Sequence, residues 1–96
     1  MVHWAESEIL GVGRLTKIQG SGEGEFAILV SDNWHHHGLG VELLKRLVDI
    51  GRDEKLIRIF GDILPENHDM LRVCDKLGFR HKYSAEERVV RAEIAL

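Results

Sequence analysis

In Val30-Ser31-Asp32-Asn33-Trp34-His35-His36-His37-Gly38-Leu39-Gly40 an apolar run gives way to two glycines and then to a helical pattern. Upstream lies Glu25-Phe26-Ala27-Ile28-Leu29-Val30, which reads as a strand. Downstream, Leu39, Leu43, Leu44, Leu47, Val48 and Ile50 recur at helical spacing, with Glu42, Lys45, Arg46, Asp49 and Arg52 on the other face. The amphipathic helix so defined starts near Gly38 and ends near Asp53. At the junction several backbone N–H groups can converge on one point, where the helix dipole adds partial positive charge. Without side chains at 38 and 40 an anion can approach the backbone closely, and a pyrophosphate is the natural guest. Taken alone, Gly-x-Gly is more often an ordinary helix start with two permissive residues.

Working outward, residues 1–30 read as an antiparallel meander. Met1 to Ala5 is short and apolar-aromatic, and Ile9 to Ile18 forms a second strand. Gln19 to Gly24 is a turn with three glycines, and Glu25 to Val30 is the third strand. On the other side, Leu56 to Leu64 is apolar on both parities apart from Arg58 and Asp62, as in a strand covered on both faces. Strand, helix, strand implies a right-handed parallel crossover from 25–30 to 56–64. Pro65 ends that strand, and a second helix opens near Asn67 with Glu66 or Asn67 as its cap. Its apolar face is Met70, Leu71, Val73, Cys74 and Leu77. Gly78 stands where a left-handed C-terminal cap is wanted, with Phe79 packing back. Phe79 to Tyr83 and Arg88 to Leu96 are the final strands. The fold class is α+β (α/β): a mixed sheet with an antiparallel meander, a parallel strand-helix-strand crossover, a second helix and C-terminal strands.

Ninety-six residues make one domain, 1–96, with a modest stability margin. Net charge is −3, from 13 basic and 16 acidic residues spread along the chain, so no nucleic-acid stripe is present. No apolar run approaches the ~20 residues of a membrane span. Met1-Val2-His3-Trp4-Ala5-Glu6 lacks the regions of a signal peptide, and the single cysteine fits a reducing cytoplasm.

The glycine turn resembles the acyl-CoA signature of the GNAT superfamily, Gln/Arg-x-x-Gly-x-Gly/Ala, with His35 in the Gln/Arg position. Glu25 to Val30 is similar to the strand before that signature, and Asn67 through Cys74 to Leu77-Gly78-Phe79 to the helix after the next strand. The pattern looks most like the acetyltransferase domains of bacterial protein-lysine acetyltransferases, including those fused to acyl-CoA synthetase-like domains. The resemblance implies acetyl-CoA as co-substrate and an amine acceptor, such as a protein lysine. It implies that backbone groups of Ile28, Leu29 and Val30 pair with the pantetheine arm between splayed parallel strands. The turn His35, His36, His37, Gly38, Leu39, Gly40 and Val41 would hold the pyrophosphate, chiefly through N–H groups from His36 onward. Asn67 matches a cofactor-contacting residue and is equally a helix cap.

The resemblance also makes Glu25 the general base that frees the acceptor amine of its proton. Partial burial beside Phe26 and Ala27 would raise its pKa toward neutrality, whereas the residues alone describe a solvated strand-end carboxylate beside Glu23. Many superfamily members carry a tyrosine acid where this chain has Cys74, which reads as core filler. Tyr83 has no role assigned by its position. His35, His36 and His37 are adjacent, point in different directions and lack zinc-site spacing, so no metal is expected. Relative to a complete domain of this kind the chain starts near the second strand, without the N-terminal helices of the acceptor wall. Self-association into a homodimer is the expected consequence of the apolar surface thus exposed. Two functions follow: acetyl transfer to an amine, or a non-catalytic acyl-CoA-binding module or fragment of a larger acetyltransferase.

Overall fold

The computed structural model describes residues 2–5, 9–30 and 38–96, with side chains described over 11–29 and 38–96. The elements run β1 (Val2–Ala5), β2 (Ile9–Ile18), β3 (Glu23–Val30), α1 (Leu39–Asp53), β4 (Arg58–Ile63), α2 (His68–Lys76), β5 (Arg80–Ser84) and β6 (Val89–Ala95). They form one sheet in the order β1-β2-β3-β4-β6-β5. The meander β1-β2-β3 is antiparallel, β3 and β4 are parallel across α1, and β4-β6-β5 is antiparallel. The mixed sheet expected from the sequence is therefore the observed one. β3 begins at Glu23 rather than Glu25, because Glu23 joins two ladders, opposite Ile18 and opposite Arg58. Arg58 Nη1 also donates to Glu23 Oε2 at 2.9 Å.

Helix α1 lays Leu39, Leu43, Leu44, Leu47 and Val48 onto one face of the sheet, all buried. Gly11 and Gly13 of β2 lie beneath it: a Cβ at Gly11 would stand 2.9 Å from Leu43 Cδ1 and 3.1 Å from Leu39 Cδ2. The helix can seat this low because the sheet offers no side chain there. Helix α2 joins the same core through Cys74, with Met70, Leu71, Val73 and Leu77 packed around it. Its Asn67 cap is the second of the two expected candidates, its Oδ1 accepting from the Met70 N–H at 3.2 Å. At the other end Gly78 has φ +86°, and the Phe79 and Gly78 N–H groups donate to Cys74 and Asp75 carbonyls at 2.9 and 3.1 Å. This is a full Schellman cap. The same pattern closes α1 with Lys55 at φ 60°, where Leu56 N–H reaches the Gly51 carbonyl at 2.9 Å.

One expectation is corrected. β4 is covered on one face only: Ile59, Gly61 and Ile63 are buried while Arg58 and Asp62 are exposed. Both helices lie on the same side, and the flanking Ile57 and Leu64, which made the run look two-sided, are 60% and 57% exposed. The opposite sheet face carries Arg14, Thr16, Glu25, Ala27, Leu29 and Asp62, all exposed, and no described helix covers it.

Candidate functional site

The parallel ladder between β3 and β4 is short. Its register runs Glu23–Arg58, Gly24–Ile59, Glu25–Phe60 and stops, although β3 continues to Val30 and β4 to Ile63. Past Glu25 the strands diverge, and the edge of β3 that faces β4 has no strand to pair with. The gap opens into a cleft of about 330 Å³, at the low end of small-molecule sites. It passes through the sheet. Phe26, Ile28, Ile63 and Met70 line it on the helix side, and Arg14, Glu25 and Asp62 on the open face.

Glu25 sits at the fork, on the last ladder pair, and its carboxylate is on the open face. The expected partial burial is not found: Glu25 is exposed, since its neighbours Thr16 and Ala27 are exposed on that face as well. Ile28 is half-buried and lines the cleft, while Leu29 is 74% exposed. Val30 lies opposite Gly11, so its backbone belongs to the sheet. Asn67 lines the cleft as well as capping α2.

The glycine turn is described from Gly38 onward; His35, His36 and His37 lie outside the described residues, so their expected roles are neither met nor opposed. Gly38 is the N-cap of α1 with φ +78°, a left-handed conformation that suits glycine. Gly38 itself offers no capping side chain, and among the described residues a Cβ on it would meet nothing within 4 Å. The first N–H groups of α1, at Leu39, Gly40 and Val41, have no partner within the helix itself. Leu39 itself is buried, so its contribution there is backbone. Gly40 faces α2, with its Cβ position 3.5 Å from Val73 Cγ2 and 3.8 Å from Met70 Cε. Met70 also lines the cleft, so the helix start and the strand fork are one contact apart.

The residues fit a phosphate-bearing, amide-bearing ligand: a strand edge unpaired among the described residues for the amides, and a helix start at a left-handed glycine for the phosphates. Cys74 takes no part. It is fully buried, and burial, followed by the Asp75 carboxylate, pushes its thiol up to about 12. Tyr83 is 58% exposed on β5, away from the cleft-lining residues.

Sequence reasoning passed over Arg14, Thr16, Asp62 and Met70. Asp62 is gripped by Arg91, whose Nε and Nη2 donate to its two carboxylate oxygens at 3.0 and 3.3 Å. The Arg91 guanidinium lies 4.7 Å above the Phe60 ring, and its pKa is raised, first by the Asp62 hydrogen bond. A charged residue interrupting an otherwise apolar strand was the available signal for Asp62.

The acetyltransferase (GNAT) domain family matches residues 1–80. Among solved structures, the GNAT domain of S. lividans PAT is 29% identical, with a TM-score of 0.84 over 97% of this chain and 57% of that one. A domain from Methanocaldococcus jannaschii superposes with a TM-score of 0.82 at 16% identity, over 93% of this chain and 58% of that one. A Bacillus subtilis acetyltransferase solved in complex with CoA superposes at 0.81 and 20% identity, over 97% and 73%. The chain thus spans 57% and 58% of the first two proteins. The last two matches are likenesses of fold. With the family matched over most of its length, the chain belongs to the acetyltransferase (GNAT) domain family.

Proposed function

We propose that this chain binds acetyl-CoA and serves the transfer of its acetyl group to an amine, with a protein lysine as the acceptor class. The observation that carries the reading is the early end of the β3–β4 ladder at Glu25, near the start of α1 at the left-handed Gly38. Backbone groups of Ile28, Leu29 and Val30 along the open edge hold the pantetheine arm. N–H groups of the turn, through Gly38, Leu39, Gly40 and Val41, hold the pyrophosphate, and Asn67 stands at the cleft wall. When bound, acetyl-CoA supplies an activated acetyl thioester.

The chain's own chemistry is proton management. A lysine ammonium is not a nucleophile, so a carboxylate oxygen of Glu25 takes its proton before attack. Exposure on the open face lets the amine reach that oxygen from solvent. The Cys74 thiol is locked in the core, which leaves the second proton to water. Partnership with a homodimer mate or another acceptor wall belongs to the same proposal, because the face that presents Glu25 has no described cover.

That exposure favours a second reading, in which the chain binds the cofactor without turning it over. Calorimetric titration with acetyl-CoA followed by a thiol-release assay with amine acceptors separates the two. Binding with turnover supports transfer, binding alone supports the module, and no binding refutes both.

A further inference from the structure

Two charges at the cleft have no contacting partner among the described residues. Arg14 and Glu25 both line it, and among the described residues neither makes a hydrogen bond or an ion pair, Glu25 feeling the Arg91 charge only at longer range. The third charge lining the cleft differs: Asp62 is locked to Arg91 through a two-pronged contact. Arg14 is opposite Ala27, and Thr16 is opposite Glu25. Arg14 and Glu25 are therefore diagonal neighbours on one sheet face, with Cα atoms roughly 7 Å apart. An exposed Arg–Glu bridge adds little stability, so nothing in the fold demands that these two be satisfied by each other.

We propose that Arg14 and Glu25 form a two-charge acceptor subsite: Glu25 meets the acceptor ammonium, and Arg14 meets a carboxylate two residues away along an extended acceptor peptide. The inference rests on the reading of Glu25 given above and narrows its substrate class to lysines with an acidic residue at that spacing. The geometry favours this spacing. In an extended peptide, residues i and i+2 project to the same side about 6.6–7 Å apart, which matches the diagonal on the sheet. Adjacent residues project to opposite sides and do not match it. The α-amine and α-carboxylate of one amino acid are too close together to span it. Arg14 suits the task because its planar fork takes a carboxylate through two parallel hydrogen bonds. Asp62 does not compete, since Arg91 already occupies both its oxygens.

The test uses two lysine peptides that differ only in Glu or Gln two residues from the lysine, titrated into the full chain saturated with coenzyme A. Because Arg14 is exposed, the wild-type chain should prefer the Glu peptide by roughly two- to fivefold at low salt. The preference should shrink as salt rises. Arg14→Gln should erase it with the Gln-peptide affinity unmoved, and Arg14→Lys should restore part of it. Equal affinities in the wild type overturn the proposal, as does a preference that survives Arg14→Gln or a loss that strikes both peptides alike. Absence of binding by either peptide, to a chain that binds coenzyme A, also overturns it. Failure of coenzyme A itself to bind sinks the cofactor reading instead, and the peptide titrations into the free chain then judge Arg14 on their own.

Discussion

Gly61→Ala should cost this protein a substantial share of its stability, although the change adds one methyl group. Gly61 is in the middle of β4 on the helix-covered face, opposite Ala92 of β6. A Cβ built there stands 2.6, 2.6 and 2.8 Å from three atoms of the Phe26 ring. Optimal carbon–carbon contact is about 3.5–4.0 Å, so the ring must retreat by roughly 1 Å. Phe26 cannot retreat freely, because it meets Phe79 edge to face with centroids 5.5 Å apart and is itself 5% exposed. Overpacking of this kind costs about 1–3 kcal/mol. In a domain of this size each kcal/mol lowers Tm by roughly 4–8 °C. Urea unfolding followed by circular dichroism should show a lower midpoint with an unchanged m value. Since Phe26 also lines the cleft, acetyl-CoA affinity should fall too. In the Gly61→Ala background, Phe26→Leu should cost much less than in the wild type. A Gly61→Ala variant within 0.5 kcal/mol of wild type, or additive costs in the double mutant, would refute the steric argument.

Glu25→Gln should lower the acetyl-transfer rate by ~10²–10⁴-fold while leaving acetyl-CoA affinity nearly intact; an undiminished rate at neutral pH would make Glu25 structural. Gly38→Val should abolish acetyl-CoA binding and cost about 1–3 kcal/mol through its positive φ; calorimetry beside thermal melting measures both. Lys55→Gly should stabilise the chain by up to about 1 kcal/mol, because Lys55 holds the left-handed cap of α1 at φ 60°. The unfolded Cys74 thiol ionises near 9.0 while the folded one is held up to about 12. Its contribution to stability is therefore complete below 9.0 and is lost as pH rises from there toward 12, a slope that Cys74→Ala should remove.

The helices, the antiparallel meander and the parallel crossover were legible because their signals are local, whereas the place of β6 between β4 and β5 was not. The spacing of Leu39, Leu43, Leu44, Leu47 and Val48 specifies one face of α1 without knowledge of its partner. Gly78 marks the end of α2 by the only backbone conformation it was needed for. The matching cap at Lys55 was invisible, since a lysine gives no sign of a left-handed φ. Glu25, Ile28 and Asn67, which the sequence singled out, line one cleft. Arg14 escaped because its place depends on register: Thr16 opposite Glu25 puts Arg14 on the open face, and a slip of one residue would have sent it into the core. The exposure of Glu25 escaped for a related reason, because burial depends on what lies across the sheet and not on the neighbours in sequence.

The three-pair ladder between β3 and β4 makes the sheet two half-sheets joined by a narrow seam, β1-β2-β3 on one side and β4-β6-β5 on the other. Apart from that seam the halves are held chiefly by α1, which packs across β2, β3 and β4. A ligand arm laid along the free edge of β3 would act as an extra stitch in the fabric. Its effect should then be felt far from the cleft, as slower amide hydrogen exchange along both flanking strands and a melting temperature that climbs with ligand concentration. Without the stitch, the seam is where thermal opening should begin.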